Sequence, residues 1–178
     1  GFGTKFLTDL RTAASKFPAE LDAAQTAMSA IGEFEVAASP LQMAMVSAAI
    51  ANDGVVMEPY IVNRVLDRDL KVTTQTSPQK HSVALSTENA RAMQQMMVEV
   101  VEHGTGGRAQ LAGVTVGGKT GTAHSDNERR PYAWFTAWAD DPNVAVCAFV
   151  EDAEIPATDI AGGAVAAPIA KAVIEALR

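Results

Sequence analysis

The chain closes with three β-rich runs in quick succession followed by one Ala-rich helix, and this order constrains the fold more than any other feature. Val114 to Ala123 alternates loosely, and Tyr132 to Ala139 is aromatic and β-rich. Asn143 to Val150 sets Val144, Val146, Ala148 and Val150 on one parity, which makes one face of that strand apolar. A parallel crossover needs about a dozen residues or more, so the short turn Asp140-Asp141-Pro142-Asn143 can join the last two runs only as an antiparallel hairpin. After a loop containing Gly162-Gly163, Ala164 to Leu177 reads as a helix whose Ala, Ile and Val side chains let it pack closely on a sheet.

Upstream, the strongest element starts at Ser39-Pro40, an N-cap followed by Pro at the first helical position, and runs to Asn52-Asp53-Gly54, where Gly54 suits a left-handed cap. Its residues are apolar nearly all round, which predicts a buried helix. Val55 to Thr76 is rich in β-branched residues broken at Pro59 and at Asp67-Arg68-Asp69, the pattern of a small peripheral hairpin. Ser86-Thr87-Glu88 opens a second helix that stops at His103-Gly104, with Met93, Met96, Met97, Val100 and Val101 at helical spacing and the three Met as core filler. The first 38 residues lack a sustained period, with one short helical turn expected from Pro18 through Leu21. The opening Gly1-Phe2-Gly3-Thr4-Lys5-Phe6 reads like the middle of a domain, and residues 1–178 read as one folding unit or part of one.

Composition removes several classes of function. A net charge of -7 over 178 residues, with no clustered Lys and Arg, argues against nucleic acid as a partner. The lone Cys147 allows no intrachain disulfide and no Cys-based zinc site, and reads as a small buried thiol in mid-strand. His81, His103 and His124 lack ligand spacing, so no metal and no cofactor is expected. No uncharged apolar run approaches the roughly 20 residues that span a bilayer.

The stretch that carries chemistry is Gly117-Gly118-Lys119-Thr120-Gly121-Thr122-Ala123. Gly121 leaves the backbone unshielded, so a ligand can hydrogen-bond along the strand. Thr120 and Thr122 are two apart, share a face and can both donate to an anion, each such bond being worth about 1.5 to 3 kcal/mol. Alternation puts Lys119 on the opposite face, so its stem must bend around the strand edge to reach the same ligand.

In these residues the chain resembles the penicillin-binding proteins and serine β-lactamases, whose third motif is K-T-G after S-x-x-K and S-x-N. The resemblance extends from about Ile31 through Ser39-Pro40-Leu41-Gln42-Met43-Ala44, Ala51-Asn52-Asp53-Gly54, Val100 to Gly106, the K-T-G segment, Gly162-Gly163-Ala164 and Ala167-Pro168-Ile169. This pattern is similar to the class B penicillin-binding transpeptidases and favours a transpeptidase over a β-lactamase. The resemblance implies an α/β (α+β) fold, an antiparallel sheet flanked by helices, of which residues 1–178 are the C-terminal portion of the transpeptidase domain.

It also implies roles. Lys119 supports the electrostatics and proton traffic of a nucleophilic Ser, while Thr120, Gly121 and Thr122 bind substrate, the two hydroxyls holding the carboxylate of a D-Ala-D-Ala terminus or a β-lactam. The Thr122 backbone N–H is one of two oxyanion donors. The implied partners are peptidoglycan stem peptides, β-lactams, the upstream part of the same domain and other proteins of cell-wall synthesis or cell division. The implied location is the extracytoplasmic face of a bacterial membrane, with the anchor in an upstream segment. A serine β-lactamase, a D,D-carboxypeptidase and a non-catalytic peptide-binding module of the same fold are the alternatives.

The nucleophile is missing from its place. Ser77-Pro78-Gln79-Lys80 fits S-x-x-K as a string but sits in a polar stretch with Pro inside it, where no buried helix is expected. Ser125-Asp126-Asn127 fits S-x-N but follows K-T-G directly and reads as a solvated turn, and His124 reads as an exposed strand-end residue. Of Tyr132, Trp134, Phe135 and Trp138, two are expected to face the core and two to line or flank a cleft.

Overall fold

The computed structural model describes residues 1–6, 12–123 and 130–178. Helices α1 (Ala23–Ala30), α2 (Pro40–Ala51) and α3 (Thr87–Glu102) precede a three-stranded antiparallel sheet of β5 (Val116–Ala123), β6 (Tyr132–Ala139) and β7 (Val144–Val150), and α4 (Ala167–Ala176) closes the chain. Four short strands, β1 (Val55–Met57), β2 (Arg64–Leu66), β3 (Val72–Gln75) and β4 (Lys80–Val83), form two small antiparallel pairs, β1 with β4 and β2 with β3. The hairpin expected between Val55 and Thr76 is therefore β2–β3, turning at Asp67, whose carboxylate accepts from the N–H groups of Asp69 and Lys71 at 2.9 Å.

Local chemistry sets the helix ends. The Ser39 hydroxyl accepts from the Gln42 N–H at 3.1 Å and Pro40 takes the first turn of α2. Gly54 follows at φ +91°, in the left-handed region, with the Leu85 carbonyl lying where a Cβ would stand. The Ser86 hydroxyl accepts from the Asn89 N–H at 3.2 Å at the start of α3. The N-terminal region departs from expectation. Its helix is α1, set by a capping box in which the Asp22 carboxylate accepts from the Gln25 N–H at 2.8 Å and the Gln25 side chain accepts from the Asp22 N–H at 3.0 Å. Pro18 to Leu21 carries no helix.

The sheet has two differently covered faces. On one, Ala133, Phe135, Ala137 and Ala139 of β6 and Ala148 of β7 pack with Val101 of α3 and with Ala167, Ala170 and Ile174 of α4. Burying a ring the size of Phe135, which is fully inaccessible, contributes about 1.5–3 kcal/mol. On the other face, Trp138 packs with Ile50 of α2 and Met97 of α3. There the Thr136 hydroxyl donates to the Met43 carbonyl at 2.9 Å, so its single proton is used, and the fully buried Ser47 hydroxyl must donate to Thr136 across 2.6 Å. This polar pair ties α2 to the middle of the sheet.

Three expectations about burial need correction. Helix α2 is buried on most sides but not all round: Gln42, Met45, Ser47, Ala49 and Ile50 are buried, while Ala48 and Ala51 are exposed. Of the α3 methionines only Met97 is core, while Met93 and Met96 are 36% and 55% exposed. Cys147 is half-buried rather than buried, although desolvation still pushes its thiol pKa up to about 11. The closing helix also differs at its start. A wide π-type turn over Gly162–Ala166 leads into α4, and that turn lies against the sheet where chemistry is expected.

Candidate active site

Among the described strands β5 is an outer strand, paired on one side only, to β6. Its first half is buried, from Val116 to Gly118, because Phe135 and Trp138 of β6 occupy the space that side chains at Gly118 and Gly117 would need. From Lys119 onward it emerges partly into solvent. The register pairs Lys119 with Thr136, Thr120 with Phe135, Gly121 with Trp134 and Thr122 with Ala133. Lys119 therefore shares the Thr136 and Trp138 face, the side of α2, while Thr120 and Thr122 share the Phe135 face, the side of α4.

Thr120 and Thr122 line a cleft of about 510 Å³ together with Thr105, Arg108 and the Gly162-Gly163-Ala164 turn. The Thr120 and Thr105 hydroxyls are 2.8 Å apart, and the Gly162 N–H donates to the Thr122 hydroxyl at 3.2 Å. Two glycines permit this closeness. A Cβ on Gly162 would stand 2.6 Å from the Gly121 carbonyl oxygen and against the Trp134 carbonyl, and one on Gly163 would strike the Thr105 carbonyl. Lys119 does not line this cleft; its ammonium is exposed and donates to the Thr120 carbonyl at 2.8 Å, so the stem curls along the strand.

The expected site residues thus fall into two groups on one strand: the hydroxyls in a cleft and the ammonium on the other face. Sequence reasoning missed Thr105, Arg108 and the structural part played by Gly162 and Gly163. The only signal available was that Thr105, Gly162 and Gly163 stand in segments quoted as family-like, with Arg108 two residues beyond one of them; nothing in their spacing from Lys119 places them at the site. Phe135 and Trp138 are the two buried aromatics of β6, on opposite faces of the sheet. Tyr132 and Trp134 stack with Phe149 of β7 and are not among the residues lining the cleft. Ser77 lies in an exposed loop and Lys80 begins β4, so the S-x-x-K string has no helix to align it. His124 and Ser125 to Asn127 lie outside the described residues.

At the end of α3, Glu99, Glu102 and His103 bring donor atoms within 4.8 Å of one another. All three are exposed, and His103 Nδ1 already bonds Glu99 at 3.0 Å, so the group is accounted for as a helix-end pair with a neighbouring carboxylate. No helix among the described residues is long and apolar enough to cross a membrane.

Known proteins resemble this chain in sequence and in fold. The family described as the penicillin binding protein transpeptidase domain matches residues 1–175. A peptidoglycan D,D-transpeptidase PbpA of Mycolicibacterium smegmatis is 42% identical over 163 residues, covering 88% of this chain and 32% of the relative. The PbpA of Mycobacterium tuberculosis is 37% identical over 176 residues, covering 95% of this chain and 35% of that protein. Among solved structures, penicillin-binding protein A of M. tuberculosis as its penicillin G acyl-enzyme complex superposes with a TM-score of 0.88 at 34% identity, over 100% of this chain and 41% of that one. The chain accordingly spans about a third of the length of the relatives it matches.

Proposed function

The chain belongs to the penicillin-binding protein transpeptidase family, and from that premise we propose that residues 1–178 are the K-T-G-bearing, C-terminal portion of a transpeptidase domain that cross-links peptidoglycan. The observation that carries the reading is the division of β5, which presents Lys119 on one face and the Thr120 and Thr122 hydroxyls in a cleft on the other, along an edge that no other described strand covers. A substrate laid along that edge meets hydroxyls for its terminal carboxylate and the Thr122 N–H for its developing oxyanion. One such donor is worth about 2.7–4 kcal/mol of barrier.

The reaction is covalent acyl transfer. A serine from sequence outside these residues attacks the carbonyl of the D-Ala-D-Ala bond, the terminal D-Ala leaves as the amine, and an amine of a neighbouring stem peptide takes the acyl group and frees the serine. A β-lactam opens its ring on the same serine and stays attached. Lys119, facing the α2 side, acts on the serine through its charge. The domain works on the extracytoplasmic face of the membrane, held by an anchor outside this chain, among other proteins of wall synthesis. The transpeptidases among its relatives support an amine rather than water as acyl acceptor, against the β-lactamase and carboxypeptidase alternatives.

Labelling the whole protein with a fluorescent penicillin, followed by intact-mass spectrometry, tests the reading. A single covalent adduct is expected, and Thr122→Val should slow its formation because it removes a carboxylate donor while keeping shape. A whole protein that no penicillin labels refutes the proposal.

A further inference from the structure

We infer that Arg108 is the cation of an anion subsite in the cleft, with Thr122 and the Thr105–Thr120 pair supplying hydroxyl donors, so that the charge recognising the substrate carboxylate comes from the α3–β5 loop rather than from Lys119. The inference rests on the reading of this cleft as the place of a terminal carboxylate.

Proton accounting shows what the cleft asks of a ligand. The Gly162 N–H donates to the Thr122 hydroxyl at 3.2 Å, which occupies its acceptor side and leaves its proton for another acceptor. Of the Thr105 and Thr120 hydroxyls, 2.8 Å apart, one donates to the other and the second keeps its proton. Two O–H donors are left over, and among the described residues no Asp or Glu lines the cleft to take them. A ligand that fits is an acceptor without protons of its own, and a carboxylate is that kind of group.

Hydroxyls alone do not balance a full negative charge. Lys119 is on the opposite face and its ammonium is bonded to the Thr120 carbonyl, whereas Arg108 is the one cationic side chain among the described residues that line the cleft. Its position is fixed from both ends. The short turn that bears it, Gly107–Ala109, is held by fully buried Ala109 and by the Gln110 side chain, which donates to the Val101 and Glu102 carbonyls at 2.9 and 3.0 Å. Its guanidinium donates to the Ala164 carbonyl at 3.1 Å, across the cleft mouth. A guanidinium has several further N–H donors in a rigid fork, so this bond holds the head at the cleft wall and leaves donors for a carboxylate.

The test measures, on the whole protein, the second-order acylation rate with benzylpenicillin and with its methyl ester, which lacks the carboxylate charge. The ratio of the two rates is independent of the fraction of protein that is folded. In Arg108→Gln the ratio should fall about ten- to a hundred-fold. Arg108→Lys keeps the charge but loses the fork, and should lower the ratio by about three-fold or more. An unchanged ratio in either variant overturns the inference, because Arg108 then only props the Gly162–Ala164 turn. Wild-type protein that reacts with neither compound refutes the transpeptidase reading instead, so the two failures are distinct.

Discussion

Replacing Gly162 by Ala should destabilise the chain, although the same change in an ordinary helical turn stabilises by about 0.5–1 kcal/mol. The reason is the wide turn that lays Gly162 on the backbone of β5 and β6. A Cβ there would stand 2.6 Å from the Gly121 carbonyl oxygen and 2.9 Å from the Gly121 nitrogen, with the Trp134 carbonyl also in its way, where ordinary contact begins at about 3.4 Å. All three are main-chain atoms of a paired ladder, so the turn must retreat by at least about 0.8 Å. That retreat stretches the Gly162 N–H to Thr122 bond from 3.2 Å to about 4 Å and breaks it. Overpacking costs about 1–3 kcal/mol and the lost hydrogen bond about 0.5–1.5, giving roughly 1.5–4.5 kcal/mol together. Urea unfolding followed by the fluorescence of Trp134 and Trp138, the chain's two tryptophans, reads the shift in midpoint. Gly107→Ala is the control on the same cleft, since a Cβ there meets only the Val101 carbonyl oxygen at 3.8 Å, and it should be neutral or stabilising. A Gly162→Ala protein as stable as wild type refutes the reasoning.

Hydrogen bonds from Thr115, its side chain first, hold the Asp140 carboxyl below its usual value of 3.8, and the Thr115 N–H reaches it at 2.8 Å. Because the folded pKa is depressed, the stabilisation is present above that value and is lost as pH falls through the folded pKa; Asp140→Asn should remove this part of the acid dependence in unfolding measured between pH 5 and 2. With its thiol pushed up to about 11 by burial, Cys147 should react slowly with iodoacetamide at pH 7 and quickly once unfolded; fast native labelling, timed by mass spectrometry, contradicts the desolvation argument. The 178-residue chain by itself should form no adduct with penicillin, because Ser77 and Lys80 lie on an exposed loop and strand rather than one helical turn apart; an adduct on Ser77 overturns this.

What the sequence made legible follows from how local each signal is. The Ser39 and Ser86 caps, Pro40, Gly54 and the parity of β7 act within a few residues, and they located α2, α3 and the final hairpin correctly. The Asp22 to Gln25 capping box is equally local, yet α1 was hidden by a segment of Ala, Thr and Ser without an apolar stripe. Spacing alone put five apolar α3 residues on one face, but exposure of Met93 and Met96 depends on which neighbours cover each side of the helix. The cleft was half legible. Strand alternation separated Thr120 and Thr122 from Lys119, whereas Thr105, Arg108 and Gly162 come from two other segments, 15, 12 and 42 residues from Thr120 along the chain, and only the packing of α3 and α4 on the sheet brings them to it.

The two faces of β5 also explain why K-T-G needs a Gly between its functional neighbours. Gly121 pairs with Trp134 on the Lys119 face, while Gly162 lies against its backbone from the threonine face, so the strand is approached closely from both sides at this residue. A Cβ on Gly121 would stand 3.2 Å from the Trp134 Cβ, tighter than ordinary contact, and would move β5 relative to β6. Such a shift carries the Lys119 ammonium and the Thr122 hydroxyl, which alternation places on opposite sides of the chain, away from the elements packed against each face. A ligand that engages both groups must lie along the edge between them, and its affinity depends on how thin the strand is there. The absence of a side chain at Gly121 thus keeps both halves of the site seated against their supports, and Thr105, Gly162 and Arg108 hold one of those halves in place.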